Sequence, residues 1–326
     1  MSEALLQHAT DTIAVGSKSF AAAARLFDPA TRRSVLMLYA WCRHCDDVVD
    51  GQELGFNAAP SKVHDPAREL ARLEDQTRRA YAGEPMAHPA FAAFQEVALQ
   101  HAIAPRYAFD HLAGFGMDVE EARYETIEDT LRYCYHVAGV VGLMMASIMG
   151  AKDAAVLDRA CDLGLAFQLT NIARDIVEDA GVGRCYVPAQ WLREAGIPPA
   201  ELALPRHRAA LARVAARLVD HAEPYYDSAL HGIAALPLRS SWAIATARNV
   251  YRQIGIEVKR RGERAWDERA GTSKATKLRL LARGGAQALA SRLSRGGRTA
   301  PAPRAGLWQR PDGAAAHRHA APATLA

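Results

Sequence analysis

The sequence predicts an all-α protein, and three features of the chain support this fold class. Apolar residues recur at helical spacing over most of the 326 residues. The sequence has no alternating apolar–polar runs and no alternating βα units, which excludes Rossmann and barrel folds. Several expected helix starts carry a residue–proline pair, since proline is tolerated in the first helical turn. These pairs are Asp28-Pro29, Asp65-Pro66, His88-Pro89 and Ala104-Pro105.

The individual helices follow from this periodicity and from the residues that end it. The first clear helix is predicted from Pro29 to Asp50, and Gly51 ends it. Four long helices are predicted over residues 126–150, 153–180, 206–236 and 238–262. After about residue 284 the sequence is rich in Ala, Arg, Gly and Pro without periodicity. We therefore predict one helical domain over residues 1–284 and a disordered tail over residues 285–326.

Charge and hydropathy limit the partners and the location of the protein. The formal net charge is +4, but from residue 291 onward six arginines stand against one aspartate, so the remaining chain is nearly neutral. Nucleic acid is therefore not expected as a partner, because it requires a basic face. The longest apolar stretch, Tyr135–Gly150, has 14 residues without a formal charge after His136, fewer than the roughly 18–20 that span a bilayer. The N-terminus does not resemble a signal peptide and the five cysteines do not suggest a disulfide framework, so we expect a cytoplasmic protein.

An acidic cluster ends the first long helix. In CDDVVD, Asp46 and Asp50 lie four residues apart and therefore on one helix face. Like charges at this spacing repel, and anions at a helix C-terminus oppose the macrodipole, at a cost of about 1 kcal/mol unless a cation binds there. A solvated acidic patch is the alternative when this motif is taken alone.

A second cluster, QLTNIARDIVED, places oxygen ligands along one face of a later helix. Gln168, Asn171, Asp175 and Asp179 are spaced by three, four and four residues and are bordered by apolar side chains. Carboxylate and amide oxygens suit Mg²⁺ or Mn²⁺ rather than zinc, and Mg²⁺ usually bridges a few carboxylates to substrate phosphates. Together the two clusters predict a clamp that holds a diphosphate through a divalent metal ion.

Further motifs occur in register with the two clusters from about residue 13 to residue 280. They are GSKSF, Tyr39 and Arg43 in LYAWCRHCDDVVD, YCYHVAGVVG, NIARDIVED, GRCYVP, Tyr251 and Arg264. In this order and spacing, they closely resemble the motifs of the squalene/phytoene synthase family. The resemblance implies an isoprenoid-synthase-type helical bundle with a central prenyl diphosphate cavity.

The resemblance also implies an activity and roles for individual residues. The implied reaction is the head-to-head condensation of two geranylgeranyl diphosphates to phytoene in carotenoid biosynthesis, with Mg²⁺ or Mn²⁺ and without NADPH. Squalene or dehydrosqualene synthesis from farnesyl diphosphate is the alternative. The implied metal ligands are Asp46, Asp50, Asn171, Asp175 and Asp179. The implied diphosphate and substrate contacts are Tyr39, Arg43, Tyr251, Arg264, Ser17, Ser19, Phe20 and Gln168, and the implied tunnel lining is Tyr133, Val137, Val141, Gly142, Met145 and Phe167.

Other interpretations remain open from the residues alone. The tunnel stripe is compatible with ordinary core packing, Ser17 and Ser19 with a helix cap, and Arg43 with an ion pair on its own helix. CRHC matches C-x-x-C but lacks a βαβ context or a second ligand pair, and no Gly-rich phosphate loop is visible. The other function classes are a non-catalytic helical scaffold and a head-to-tail chain elongator that uses isopentenyl diphosphate.

The lipophilic substrate and product add an expectation about partners. We expect a transient contact with the inner face of the membrane, through the apolar rim of the cavity or through the Arg-rich tail. Neighbouring carotenoid-pathway enzymes are further expected partners.

Overall fold

The computed structural model of the chain describes residues 2–16, 23–53, 56–57, 65–293 and 304–311. Within these ranges the protein is helical, apart from one small antiparallel hairpin. The hairpin strands are Gln52–Glu53 (β1) and Phe56–Asn57 (β2). The α-helices are α1 (Ser2–Gly16), α2 (Pro29–Asp50), α3 (Pro66–Tyr81), α4 (Pro89–Gln100), α5 (Pro105–Val119), α6 (Ile127–Cys134), α7 (Val140–Ile148), α8 (Ala154–Gly181), α9 (Ala189–Glu194), α10 (Arg208–Gly232), α11 (Leu238–Arg261) and α12 (Lys274–Leu293). The predicted all-α fold class is confirmed.

Helix α2 illustrates how local sequence fixes the ends of an element. The Asp28 carboxylate accepts hydrogen bonds from the backbone N–H groups of Ala30 and Thr31, at 3.1 and 3.0 Å. Gly51 ends the helix with a φ of 63°, in the left-handed region that favours glycine. The predicted helix from Pro29 to Asp50 is confirmed at both ends.

The helix predicted over residues 126–150 is interrupted. Residues Tyr135–Gly139 form a π-helical turn between α6 and α7, a feature that is frequent at functional sites. The whole segment Ile127–Ile148 is long and apolar enough to cross a membrane by length and composition, and 61% of its apolar window is buried inside the protein. Such burial is what the core helix of a folded domain would show.

Helix α8 is the central element of the bundle and packs against α7, α10 and α11. Its contact with α7 and the π turn is backbone to backbone. A Cβ added at Gly164 would lie 2.3 Å from the Ala138 carbonyl oxygen, and one added at Gly142 would lie 2.3 Å from that of Ala160. Interior helical glycines cost about 1 kcal/mol each in propensity, and here they permit close packing of the two helices that form one wall of the site.

The expected start of a tail at residue 285 does not agree with the structure. Helix α12 continues to Leu293, so residues 285–293 are helical. Gly284 was part of the composition that suggested the end of the domain. In the structure it faces α11, where an added Cβ would lie 2.4 Å from the Thr246 hydroxyl oxygen. The glycine is therefore a packing position within the helix.

Residues 304–311, which also belong to the expected tail, lie against the helical body. The Arg304 guanidinium contacts the Asp162 carboxylate at 2.7 and 2.8 Å, and the Trp308 ring packs on Tyr135 with centroids 5.4 Å apart. Asp162 is fully buried. The prediction of disorder is wrong for this segment because its arginine pairs with a buried carboxylate that is distant in sequence.

Candidate active site

An apolar cavity of about 300 Å³ lies between α2, α7, α8, α10 and α11. Helix α8 lines it with one face, from Val156 through Phe167 to Asn171, over about 22 Å of helix. Asp175 and Asp179 continue this stripe at spacings of four residues. The second acidic motif therefore begins where the apolar lining ends.

Most of the residues predicted to contact substrate line this cavity. They are Tyr39, Val137, Val141, Gly142, Met145, Phe167, Gln168 and Tyr251. The rings of Tyr251 and Phe167 stack with centroids 4.2 Å apart. Burial raises the pKa of Tyr251, and it raises that of Tyr39 to about 12. Both phenols therefore stay neutral near pH 7 and can donate hydrogen bonds to an anion.

The first acidic motif is tied to an arginine on its own helix. Arg43 contacts Asp46 at 3.0 Å and Asp47 at 2.7 Å, so the ion pair considered as the alternative for Arg43 is present. Burial raises the pKa of Asp46 to about 6; Arg43 opposes this rise and the charge of Asp50 adds to it. Because 41% of the Asp46 side chain remains accessible, solvent moderates the effect.

The second acidic motif contains two carboxylates whose pKa values are shifted in opposite directions. Asp175 accepts hydrogen bonds from Arg174 at 2.7 Å and from Arg269 at 3.1 Å. Burial acts to raise the pKa of Asp175, but the hydrogen bonds and charges of these two arginines outweigh it and lower the pKa. For Asp179, burial and the charge of Asp175 raise the pKa to about 7.

Arg184 links the two motifs, although sequence reasoning assigned it no role beyond membership of GRCYVP. Its guanidinium donates to Asp50 at 3.1 Å. Its positive charge also acts to lower the pKa of Asp46, Asp118 and Asp179. Because Asp46 and Asp50 belong to the first motif and Asp179 to the second, one arginine partly neutralises both. Its place just after the second motif is the only sequence signal that could have pointed to it.

Asp118, at the end of α5, is another residue that sequence reasoning missed. Its carboxylate accepts hydrogen bonds from the hydroxyls of Tyr133 at 3.2 Å and Tyr186 at 3.0 Å, and these two rings stack at 4.4 Å. Burial raises the pKa of Asp118 to about 6, and Arg184 opposes the rise. Tyr133 thus lies with the acidic groups and not among the cavity-lining residues, where it was predicted. A single aspartate gives no spacing signal.

Four predicted residues remain, three near the N-terminus and one after α11. Ser17, Ser19 and Phe20 lie outside the described residues. Arg264 is exposed in the short 3₁₀ helix Gly262–Arg264, and Arg269 is the arginine that contacts Asp175. The role of Arg264 stays a prediction.

The donor atoms of the site fit a divalent cation bound through oxygen. Asn171 Oδ1 is buried and has no hydrogen-bond partner among the described residues, while its Nδ2 donates to Gln168 at 3.3 Å. An unpartnered buried acceptor is costly, and a cation would relieve this cost together with the burial and the carboxylate repulsion that raise the pKa of Asp46 and Asp179. Over the described ranges, no three His, Cys, Asp or Glu side chains form a preformed metal cluster. Arginines form ion pairs with several of the carboxylates. A preformed cluster is not required, since Mg²⁺ typically completes its coordination with substrate phosphates and water.

An all-α bundle whose acidic motifs meet the end of an apolar cavity defines the class of helical enzymes that act on prenyl diphosphates. The sequence model of one family, squalene/phytoene synthase, matches residues 13–279. The chain belongs to the squalene/phytoene synthase family, as its motifs had suggested.

Individual relatives and a solved structure agree with this assignment. The chain is 63% identical to the 15-cis-phytoene synthase of Pantoea ananas over 307 residues, which cover 94% of this chain and 98% of the relative. It is 48% identical to the 15-cis-phytoene synthase of a Paracoccus species, with 94% and 98% covered. A crystal structure of a dehydrosqualene synthase in complex with ligand matches with a TM-score of 0.78 at 26% identity, covering 89% of this chain and 98% of that one. The predicted isoprenoid-synthase-type bundle is confirmed.

Proposed function

We propose that this protein is a phytoene synthase that joins two geranylgeranyl diphosphates head to head and releases two diphosphates. The observation that carries the proposal is the single stripe of α8 in which Asn171, Asp175 and Asp179 follow directly on the apolar cavity lining. A diphosphate bound at this acidic end would direct its prenyl chain into the cavity. The 63% identity to a 15-cis-phytoene synthase over nearly the whole chain supports the substrate and product.

The diphosphate end of the site is built from carboxylates, an amide and arginines. The residues proposed to hold Mg²⁺ or Mn²⁺ are Asp46, Asp50, Asn171, Asp175 and Asp179. When bound, the ion supplies positive charge to the departing diphosphate. Arg43, Arg174 and Arg184 are positioned to add to this charge, because a planar guanidinium can donate paired hydrogen bonds to phosphate oxygens as it does to carboxylates.

The cavity end is suited to carbocation chemistry. The C1–O bond of the first substrate breaks, and the diphosphate leaves with the electron pair. The alkene of the second substrate attacks the allylic cation and loses a proton to give cyclopropyl prephytoene diphosphate. A second ionisation, rearrangement and proton loss yield phytoene. Aromatic rings of Tyr39, Phe167 and Tyr251 can stabilise the cations, and the apolar walls exclude water that would quench them.

Product analysis tests this proposal. Purified protein is incubated with geranylgeranyl or farnesyl diphosphate and Mg²⁺, with and without NADPH, and the hydrocarbon is identified by mass spectrometry. We expect phytoene from geranylgeranyl diphosphate without NADPH. Squalene formed from farnesyl diphosphate with NADPH, or a requirement for isopentenyl diphosphate, would overturn the proposal in favour of another prenyltransferase reaction. Absence of diphosphate release would indicate a scaffold.

The proposed reaction also bears on location. We expect the enzyme in the cytoplasm, in transient contact with the inner face of the membrane, because phytoene partitions into lipid. Neighbouring carotenoid-pathway enzymes stay an expectation as partners.

A further inference from the structure

The outer face of helix α12 carries an apolar strip. Its inner face is buried at Leu280, Gly284 and Ala288 and packs on α11. On the outer side, Leu278, Leu289 and Leu293 are 69%, 58% and 84% exposed. At 100° per residue these three leucines fall within about 60° of one another around the helix axis. Exposed alanines at positions 275, 282 and 286 extend the same strip.

Basic residues border this strip on both sides. Lys274 lies on one side, and Arg279 and Arg283 lie on the other, all of them exposed. The helix contains five basic residues and no acidic residue over Lys274–Leu293. Exposed helices of soluble proteins usually mix both signs of charge. An apolar strip between rows of cations is typical of helices that lie in the interface of an anionic membrane.

A second apolar cavity opens beside this face and adjoins the main cavity. It has a volume of about 270 Å³, and α12 contributes Lys274, Lys277 and Leu278 to its lining. On its other side, Ala247 and Tyr251 of α11 line both this cavity and the main one. A lipophilic molecule that passed Tyr251 would therefore emerge beside Lys274, Lys277 and Leu278 of α12.

We propose that the outer face of α12 docks the protein on an anionic lipid surface, with its leucines among the acyl chains and its cations at the headgroups. A second copy of the chain is a less favourable partner for this face. A two-fold contact would bring its cations against the same cations of the other copy, with no acidic residue on the helix to pair with them. The use we assign to this surface, delivery of a C40 product into the bilayer, rests on the proposed function. The binding itself is independent of catalysis.

Vesicle binding by the full-length chain tests the proposal. Co-sedimentation is measured with vesicles of phosphatidylglycerol and phosphatidylcholine, and with phosphatidylcholine alone. We expect at least tenfold tighter binding to the anionic vesicles. The variants Leu289→Asn/Leu293→Asn and Arg279→Glu/Arg283→Glu should each weaken this binding at least fivefold. The matched control Leu99→Asn/Leu204→Asn changes two exposed leucines elsewhere, 53% and 37% accessible, and should bind like the wild type.

Two further measurements separate docking from catalysis and from folding. Because these α12 side chains are exposed and do not line the main cavity, both variants should keep the wild-type melting temperature and the wild-type rate on detergent-dispersed substrate. Loss of vesicle binding with retained activity supports the docking surface, whatever the reaction product is. The proposal is overturned if the wild-type chain does not bind anionic vesicles, or if the α12 variants bind them as well as the control does. Variants that change only the oligomeric state would identify a protein interface and also overturn it.

Discussion

Asp46 and Asp175 are both proposed metal ligands, but the ionised carboxylate of one destabilises the folded state and that of the other stabilises it. Burial raises the pKa of Asp46, whereas Arg174 and Arg269 lower that of Asp175. The charged form of Asp46 is therefore disfavoured by folding, and the charged form of Asp175 is favoured by it. Two substitutions with the same effect on catalysis should thus differ in their effect on stability.

We expect Asp46→Asn and Asp175→Asn each to lower turnover at least about 10²-fold, because each removes charge that holds the cation opposite the diphosphate. In chemical denaturation, Asp46→Asn should raise the free energy of unfolding by about 1 kcal/mol after solvent screening. Asp175→Asn should lower it, because two arginines lose the negative charge and one acceptor oxygen of their partner. Asp75→Asn, on an exposed carboxylate, is the control and should change neither quantity. Wild-type turnover in either site variant would refute the metal assignment.

The raised pKa of Asp179 predicts a pH effect. Between the ordinary pKa of 3.8 and about 7, the folded state holds a proton that the unfolded state has released, so this group's contribution to stability falls as pH rises. The stability of Asp179→Asn relative to wild type should therefore increase between about pH 5 and pH 7.5. Buried histidines such as His111, whose pKa burial lowers to about 4, act in the opposite direction. They act equally in both proteins and cancel in the difference. A difference that stays constant with pH would contradict the assignment.

Arg184 should matter more than an arginine in an ordinary surface pair. Arg184→Gln removes the cation near Asp46, Asp50 and Asp179, and we expect the free energy of unfolding to fall by about 2 kcal/mol. Added Mg²⁺ should restore part of this loss, because it neutralises the same carboxylates. Arg193→Gln breaks an exposed ion pair with Glu125 and should have a clearly smaller effect on the free energy of unfolding, with no effect of Mg²⁺. Equal responses of the two variants would argue against the linking role of Arg184.

At the scale of elements, the contact of α8 with α7 and the π turn depends on glycine. Gly164→Ala places a methyl group 2.3 Å from the Ala138 carbonyl oxygen, and a backbone atom cannot move aside cheaply. We expect a loss of about 2–3 kcal/mol in the free energy of unfolding, together with lower activity, because the helices must separate beside the cavity. Gly181→Ala lies in the same helix with nothing within 4 Å of its added Cβ, and should be neutral or stabilising by up to about 1 kcal/mol. Equal destabilisation of both variants would contradict this account.

The elements also indicate what can be predicted from sequence. The ends of α2 were predictable because Asp28 and Gly51 act on the backbone next to them. The π turn was not, because partners on α5 surround it. The Tyr135 hydroxyl donates to the Asp110 carboxylate at 2.7 Å, and His136 Nδ1 lies 2.7 Å from the Asp110 backbone oxygen. The spacing of apolar residues within one segment does not reveal such contacts between distant residues.

The same distinction applies to the site. The family resemblance predicted cavity-lining residues such as Val137, Val141 and Phe167, whereas their helical spacing alone predicted only a shared buried face. Arg184 and Asp118 were not predicted as site residues, because their contacts form only when α2, α5 and the segment after α8 come together in the fold. Local patterns therefore identified the walls of the cavity, whereas the groups that balance its charge required the tertiary structure.

At the scale of the whole molecule, residues 304–311 should contribute to stability. A chain that ends at residue 303 leaves the fully buried Asp162 without its arginine, with a hydrogen bond from Ser228 remaining. We expect the free energy of unfolding to fall by about 3 kcal/mol, as when one partner of a buried ion pair is removed. A chain that ends at residue 311 keeps all of these contacts and serves as the control. Identical denaturation midpoints for the two chains would show that the segment contributes nothing.

The attachment of Arg304 also has a consequence for how the chain folds. Asp158 and Asp162, which bind Arg310 and Arg304, flank Arg159 on the stretch of α8 that lines the far end of the cavity. These ion pairs join residues 152 and 142 positions apart in the sequence, so they close long loops whose entropic cost comes before the gain from the contact. Completion of this part of the cavity wall is accordingly a non-local step, which waits until residues 304–310 dock on α8.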